Sequence, residues 1–233
     1  MISLSDKPES VYSDAPESPD APFITISRQA GAGGHALAHA ILREMIARRG
    51  DPLWDDWSIF DSSFCGEMFQ RLRLRVPLTS LLNEDYRSPL TDFGFSAFGN
   101  RQSQSEALQK VTGTLRALAA RGKVIIVGRG AVCATAGLAG GIHLRLTAPL
   151  TVRLGRMRTM LKTSNQVARR IIAQRDALRG RFLHEYYGRD INDPLLYHSV
   201  WNTHLTPPER IAPIVLEMVR ASVAAMRLAA AVG

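Results

Sequence analysis

The stretch Phe23–Leu37, FITISRQAGAGGHAL, decides the fold. Ile24 and Ile26 alternate with Thr25 and Ser27, which is the two-residue period of a strand. The run breaks at Gly31, Gly33 and Gly34, where backbone torsions forbidden to other residues let successive N–H groups converge on one anion. Apolar residues then resume at helical spacing with Leu37, Ala38, Ile41, Leu42 and Met45, predicting a helix from near His35 to a stop at Gly50. Its N-terminus adds the positive end of a dipole. A strand, a glycine turn and a helix N-terminus in that order suit a nucleotide phosphate, with Gly31, Ala32, Gly33, Gly34, His35 and Ala36 as the cradle. The same residues also suit an ordinary tight strand-to-helix turn, so the loop alone leaves both readings open.

The common phosphate-loop pattern G-x-x-x-x-G-K-[ST] is not satisfied here. With Gly33 aligned to its last glycine, Gly34 stands at the lysine, His35 or Ala36 at the magnesium-binding hydroxyl, and Arg28 at the first glycine.

The chain has 233 residues and a formal net charge of +8, enough length for one α/β domain with a small appendage. Residues 1–21 carry five acids against Lys7 alone and almost no large apolar side chains, the composition of a disordered acidic tail. The folded part, 22–233, is therefore more basic than the total suggests, which favours anionic partners: nucleotides, RNA or acidic surfaces. No secretory leader pattern and no apolar run long enough to span a bilayer is visible, and Cys65 and Cys133 are isolated, so a reducing cytoplasm is the expectation.

Further along, Trp57–Phe60 reads as a short strand and Asp61 opens a helix running to about Arg75. Residues 76–104 are irregular, with scattered Pro, Gly and Phe, and suit either a flap or a surface excursion. Ser103 and Glu106 have capping-box spacing for a helix to Arg121, and Gly122 stops it. Lys123–Val127 is a continuous run of the kind found in buried parallel strands, and it empties into Gly128-Arg129-Gly130. Arg129 therefore points to the same crevice as the first loop, or is a solvated turn residue. Ile142–Thr147 predicts a third strand, Pro149 opens an arginine-bearing helix, and Thr163 with Gln166 begins another. Ser199–Asn202 is a short last strand, and Pro207 or Pro208 starts a helix with Ile211, Val215, Met218 and Ser222 inward. The alternation of strands and helices argues for a three-layer parallel α/β fold.

Four ordered blocks, ITISRQAGAGGHALA, VIIVGRGA, LTAPLTVRLGRM and ARRIIAQRDALRGRFLHEYY with WNTHLTPPERI, resemble the cytidylate kinase-like family, a branch of the P-loop nucleoside monophosphate kinases. The resemblance covers most of residues 23–220. It implies a P-loop fold with a parallel sheet and a helical lid, about 153–190, closing over ATP and a nucleoside monophosphate or similar acceptor, with Mg²⁺ as cofactor. The first loop would hold the donor phosphates, and Asp61 and Arg129 would lie near the acceptor. Phosphoryl transfer needs positioning and charge cancellation, so Arg153, Arg175 and Arg179, then Arg156, are the lid candidates, each equally readable as part of a solvated basic face. Relative to that family, Val127 and Gly130 replace the acids that flank the middle Gly-Arg, so the magnesium ligands are not identifiable. Arg28 is the candidate for the missing loop cation.

Three functions follow: an ATP-dependent phosphotransferase, a non-catalytic nucleotide sensor that kept the cradle without the lysine, and, ranked last, a nucleic-acid binder resting on basic charge alone. The last lacks a recognisable motif and interleaved aromatics.

Overall fold

The computed structural model describes residues 21–61, 101–128 and 130–232. The tail up to residue 20, the helix expected from Asp61 to Arg75, nearly all of the irregular insert and Arg129 lie outside the described residues.

Five parallel strands form one sheet in the order β2-β3-β1-β4-β5. They are β1 Phe23–Arg28, β2 Ser58–Phe60, β3 Val124–Val127, β4 Gly141–Thr147 and β5 Ser199–Asn202. β1 lies at the centre, with Ile24 level with Ile125 of β3 and with Ile142 of β4. Being covered on both faces explains why β3 is wholly apolar rather than alternating. Helices α1, Gly34–Ile46, and α6, Pro208–Val232, pack on one face of the sheet. There Ile24, Ile26, Leu144 and Leu146 meet Leu37, Ile41, Val215 and Val219, all fully buried. α2, Arg101–Arg121, and the one-turn α3, Ala131–Ala134, cover the other face through Leu115, Ala119 and Ala134. The result is the three-layer α/β architecture that the alternation predicts. A further pair, α4 Leu150–Leu161 and α5 Asn165–Tyr187, packs through Leu154, Met157, Ala168 and Ile172 against Ala30 of the first loop.

Several boundaries differ from the sequence reading, each for a local reason. α1 ends at Ile46, and Gly50, at φ +104°, belongs to the turn after it. Lys123 is not in β3: with Gly122 it takes a left-handed conformation that turns the chain into the sheet. The cap of α5 is Ser164, whose hydroxyl accepts from the Val167 amide, and not Thr163. Residues 101–104 are helical, so the insert ends before them. On α6 the buried stripe is Ile211, Ala212, Val215, Leu216, Val219 and Val223, and Met218 and Ser222 lie at its margin.

Strand order reverses around β1: the chain leaves it for β2 on one side and, after β3, crosses to β4 on the other. The crevice this creates opens at the carboxyl end of β1, where the glycine loop begins.

Candidate functional site

The loop from Gln29 to Gly33 leaves β1 beside β4, tied there by the Gln29 amide donating to Leu146 O at 3.0 Å. Gly31 and Gly33 have φ of +78° and +90°, so both glycines are required by the backbone path. Gly33 is the N-cap of α1 and has no side chain with which to cap it. The Leu37 amide donates to Gly33 O at 3.0 Å. Among the described residues the amides of Gly33, Gly34 and Ala36 have no protein acceptor. They sit at the positive end of the helix, which is the arrangement that binds an oxyanion. Ala32, one of the predicted cradle residues, spends its amide internally on Gln29 O at 3.1 Å.

The loop's carbonyls are held from behind. Arg153, almost fully buried, donates to Ala30 O at 3.2 Å and to Ala148 O at 3.0 Å. Arg156 reaches Gly31 O at 3.5 Å, and Thr203 Oγ1 donates to Ala32 O at 2.9 Å. Arg156 also binds Thr203, through Oγ1 at 2.8 Å and O at 2.9 Å. Asp176 closes the frame: its Oδ1 accepts from the Ala30 amide at 2.7 Å, and its Oδ2 pairs with Arg153 at 2.7 Å. Arg179 lies 3.4 Å from the same carboxylate and donates to Arg28 O at 3.4 Å. Pulling carbonyls backward turns the intervening amides forward, because the two groups of a peptide unit point in opposite directions.

Arg28 ends β1 and is 6% exposed. Its stem lies over Gly34, where an added Cβ would come within 3.1 Å of Arg28 Cγ and Cδ. Its guanidinium occupies the space that a side chain at Gly128 would need. Gly34 thus stands in the lysine position because the Arg28 side chain crosses there. Arg175, half-buried, is the neighbour of Asp176 on α5. His35 and Asp61, predicted for donor and acceptor respectively, meet each other: Nδ1 is 3.4 Å from Oδ2, and His35 is 45% exposed. Arg129 cannot be placed among the described residues.

Sequence reasoning missed Thr203, Asp176 as a hub, and Arg145. Thr203 and Asp176 stand inside the quoted WNTHLTPPER and AQRDALRG blocks, but nothing in either stretch indicates that each reaches more than a hundred residues back to the loop. Arg145 sits in the middle of β4, only 4% exposed, in a strand that reads as an apolar core element.

The parallel sheet with its β1 switch point and the glycine loop leading into α1 define a P-loop kinase type of α/β fold. The family model described as "Cytidylate kinase-like family" matches residues 23–205. The chain belongs to that family. Among solved structures it is similar to a protein from Eubacterium ventriosum whose title calls it uncharacterized, with 13% identity and a TM-score of 0.58, covering 85% of this chain and 98% of that one. It is also similar to a shikimate kinase from Acinetobacter baumannii in complex with shikimate, with 16% identity and a TM-score of 0.45, covering 88% and 95%. No curated protein gives a significant match.

The described residues do not build a magnesium shell. Position 36 is alanine, β3 ends in Val127 followed by Gly128, and no three His, Cys, Asp or Glu side chains converge among the described residues. Asp176, the carboxylate behind the loop, is already engaged by Arg153 and Arg179.

Proposed function

We propose that this protein is an ATP-dependent phosphotransferase of the nucleoside monophosphate kinase type, acting on a nucleoside monophosphate or a similar small acceptor. The observation that carries the reading is the loop itself, with two left-handed glycines, the amides of Gly33, Gly34 and Ala36 without acceptors among the described residues at a helix N-terminus, and carbonyls held back by Arg153, Arg156 and Thr203. Oriented amides and nearby guanidinium groups can cancel charge on a transferring phosphoryl group without any covalent step.

In this reading the residues divide their work. Gly31, Gly33, Gly34, His35 and Ala36 hold the donor phosphates. Arg28, lying over Gly34, supplies the cation that a lysine supplies elsewhere. Arg175 and Arg179 bring positive charge from α5, the lid helix, while Arg153 positions the loop and does not touch substrate. Asp61 and Arg129 receive the acceptor. Magnesium comes with the nucleotide's own phosphates, and no step is assigned to it.

Calorimetric titration with ATP and ADP tests the binding half: saturable heat is expected, and Arg28→Ala removes it. Unchanged affinity in that variant would remove Arg28 from the site. ADP formation on adding CMP, dCMP, UMP or AMP tests the transfer half. A second reading, a nucleotide sensor, is favoured specifically by glycine at the lysine position and alanine at the hydroxyl position. It predicts the same binding with no product.

A further inference from the structure

Behind the loop, between β1, β4, α5 and the segment 190–192, lies a cavity of about 560 Å³ lined by Arg28, Arg145, Arg179, His184, Asp190 and Asn192 among others. It sits on the sheet face opposite α1, because Arg145 and its neighbour Ser27 project to the side that α1 does not cover.

Arg145 is the unusual member. Its guanidinium is buried, yet its hydrogen-bond acceptors are both neutral, Ser27 Oγ at 2.9 Å and Asn192 Oδ1 at 3.0 Å, with the Tyr197 ring 5.8 Å from Cζ. Among the described residues no carboxylate lies within ion-pair distance of it. Burial pushes its pKa below that of an ordinary arginine, Tyr197 and Asp176 oppose this, and Arg179 adds to it. Asp176 is shared between Arg153 and Arg179. Among the described residues, Arg145 is the lining guanidinium with no carboxylate beside it. A charge kept out of water without a counter-ion is costly, and an anion entering from solvent relieves that cost.

We infer that this cavity is an oxyanion-binding pocket in which Arg145 takes the carboxylate or phosphate group of a small hydroxylated molecule. Asn192 holds Arg145 through Oδ1 and Asp190 Oδ1 through Nδ2, and Asp190, at the exposed mouth, then accepts from a hydroxyl through its other oxygen. The cavity volume suits one metabolite-sized ligand. Arg28 lines this cavity and its stem lies over Gly34, so the pocket's anion lies next to the proposed donor site. That last clause rests on the phosphotransferase reading, and the pocket does not.

The test uses the full chain, wild type and Arg145→Met, titrated calorimetrically with inorganic phosphate and, in a separate arm, with glycerate, each after saturation with ADP. Wild type is expected to bind at least one of the two, and Arg145→Met to weaken that binding at least about tenfold, the loss typical of a charge-assisted pair. The stronger arm identifies which oxyanion the pocket prefers. ADP binding itself is expected to be equal in both proteins, so a failure of ADP to bind would sink the nucleotide reading while phosphate or glycerate heat still reports on the pocket. Arg145→Met is also expected to melt no lower than wild type, because it removes a buried cation without a counter-ion. Arg145→Gln is the second variant, with the same outcome. Heats identical in wild type and variants, no heat in either arm, or a failure of both variants to fold would each overturn the proposal, the last by showing Arg145 to be a strut.

Discussion

Replacing Asp176 by asparagine removes the charge that joins the loop to helices α4 and α5 while leaving an oxygen to accept one hydrogen bond. Three donors depend on this carboxylate: the Ala30 amide at 2.7 Å, Arg153 at 2.7 Å and Arg179 at 3.4 Å. Breaking a fully buried pair from one side costs about 3–5 kcal/mol, because it leaves the other charge stranded. Here Arg153 is buried but the Asp176 side chain is 27% exposed, so water partly compensates and the expected loss is about 2–3 kcal/mol. For a chain of this size that lowers Tm by about 5–10 °C. Urea unfolding followed by tryptophan fluorescence measures the free energy, and differential scanning calorimetry the melting temperature. The double variant Arg153→Met with Asp176→Asn is expected to be more stable than Asp176→Asn alone, since the buried Arg153 charge is no longer stranded. A loss below about 0.5 kcal/mol for Asp176→Asn, the size of an ordinary surface change, would refute the claim that this carboxylate fastens the loop.

Other perturbations probe the neighbouring groups. Gly128→Ala places a methyl where the Arg28 guanidinium lies, at φ +85°, and is expected to cost about 1–2 kcal/mol in backbone strain and to weaken ADP binding by displacing Arg28. Unaltered ADP affinity would separate Arg28 from the nucleotide. His143 is held at a pKa of about 4, against 6.5, by burial and then by His198, itself pushed down by burial and accepting from the His143 amide at Nδ1. The unfolded chain therefore binds protons that the folded one refuses. Stability is complete above pH 6.5 and falls toward pH 4 by about 1.4 kcal/mol per unit from His143, reaching about 3 kcal/mol. Urea unfolding across that range checks it, and His143→Asn should flatten the slope. Nucleotide affinity measured with EDTA is expected to stay within about threefold of that with Mg²⁺, since Mg²⁺ is normally held by one or two carboxylates plus substrate phosphates and the described residues build no shell for it. A drop of a hundredfold would show that metal ligands had been overlooked.

The sequence by itself determined the layers and the loop. Short-range rules suffice for these: β-branched alternation at Ile24 and Ile26, an apolar run at Val124–Val127, and glycines at positive φ, which other residues adopt only at a cost. Boundaries slipped by a residue or a turn at Gly50, Lys123 and Thr163, where several adjacent residues could each have ended or capped the element. Only the tertiary structure decided what the arginines do. Arg153, Arg156 and Arg179 look alike along helices, yet Arg153 binds Ala30 O, Arg156 grips Thr203, and Arg179 shares Asp176. Each of these contacts but the last joins residues at least 47 positions apart. Arg145, inside an apolar strand, becomes informative only when its partners are seen to be neutral. Burial and the identity of a distant partner are properties of the folded surface, and no local pattern of residues encodes them.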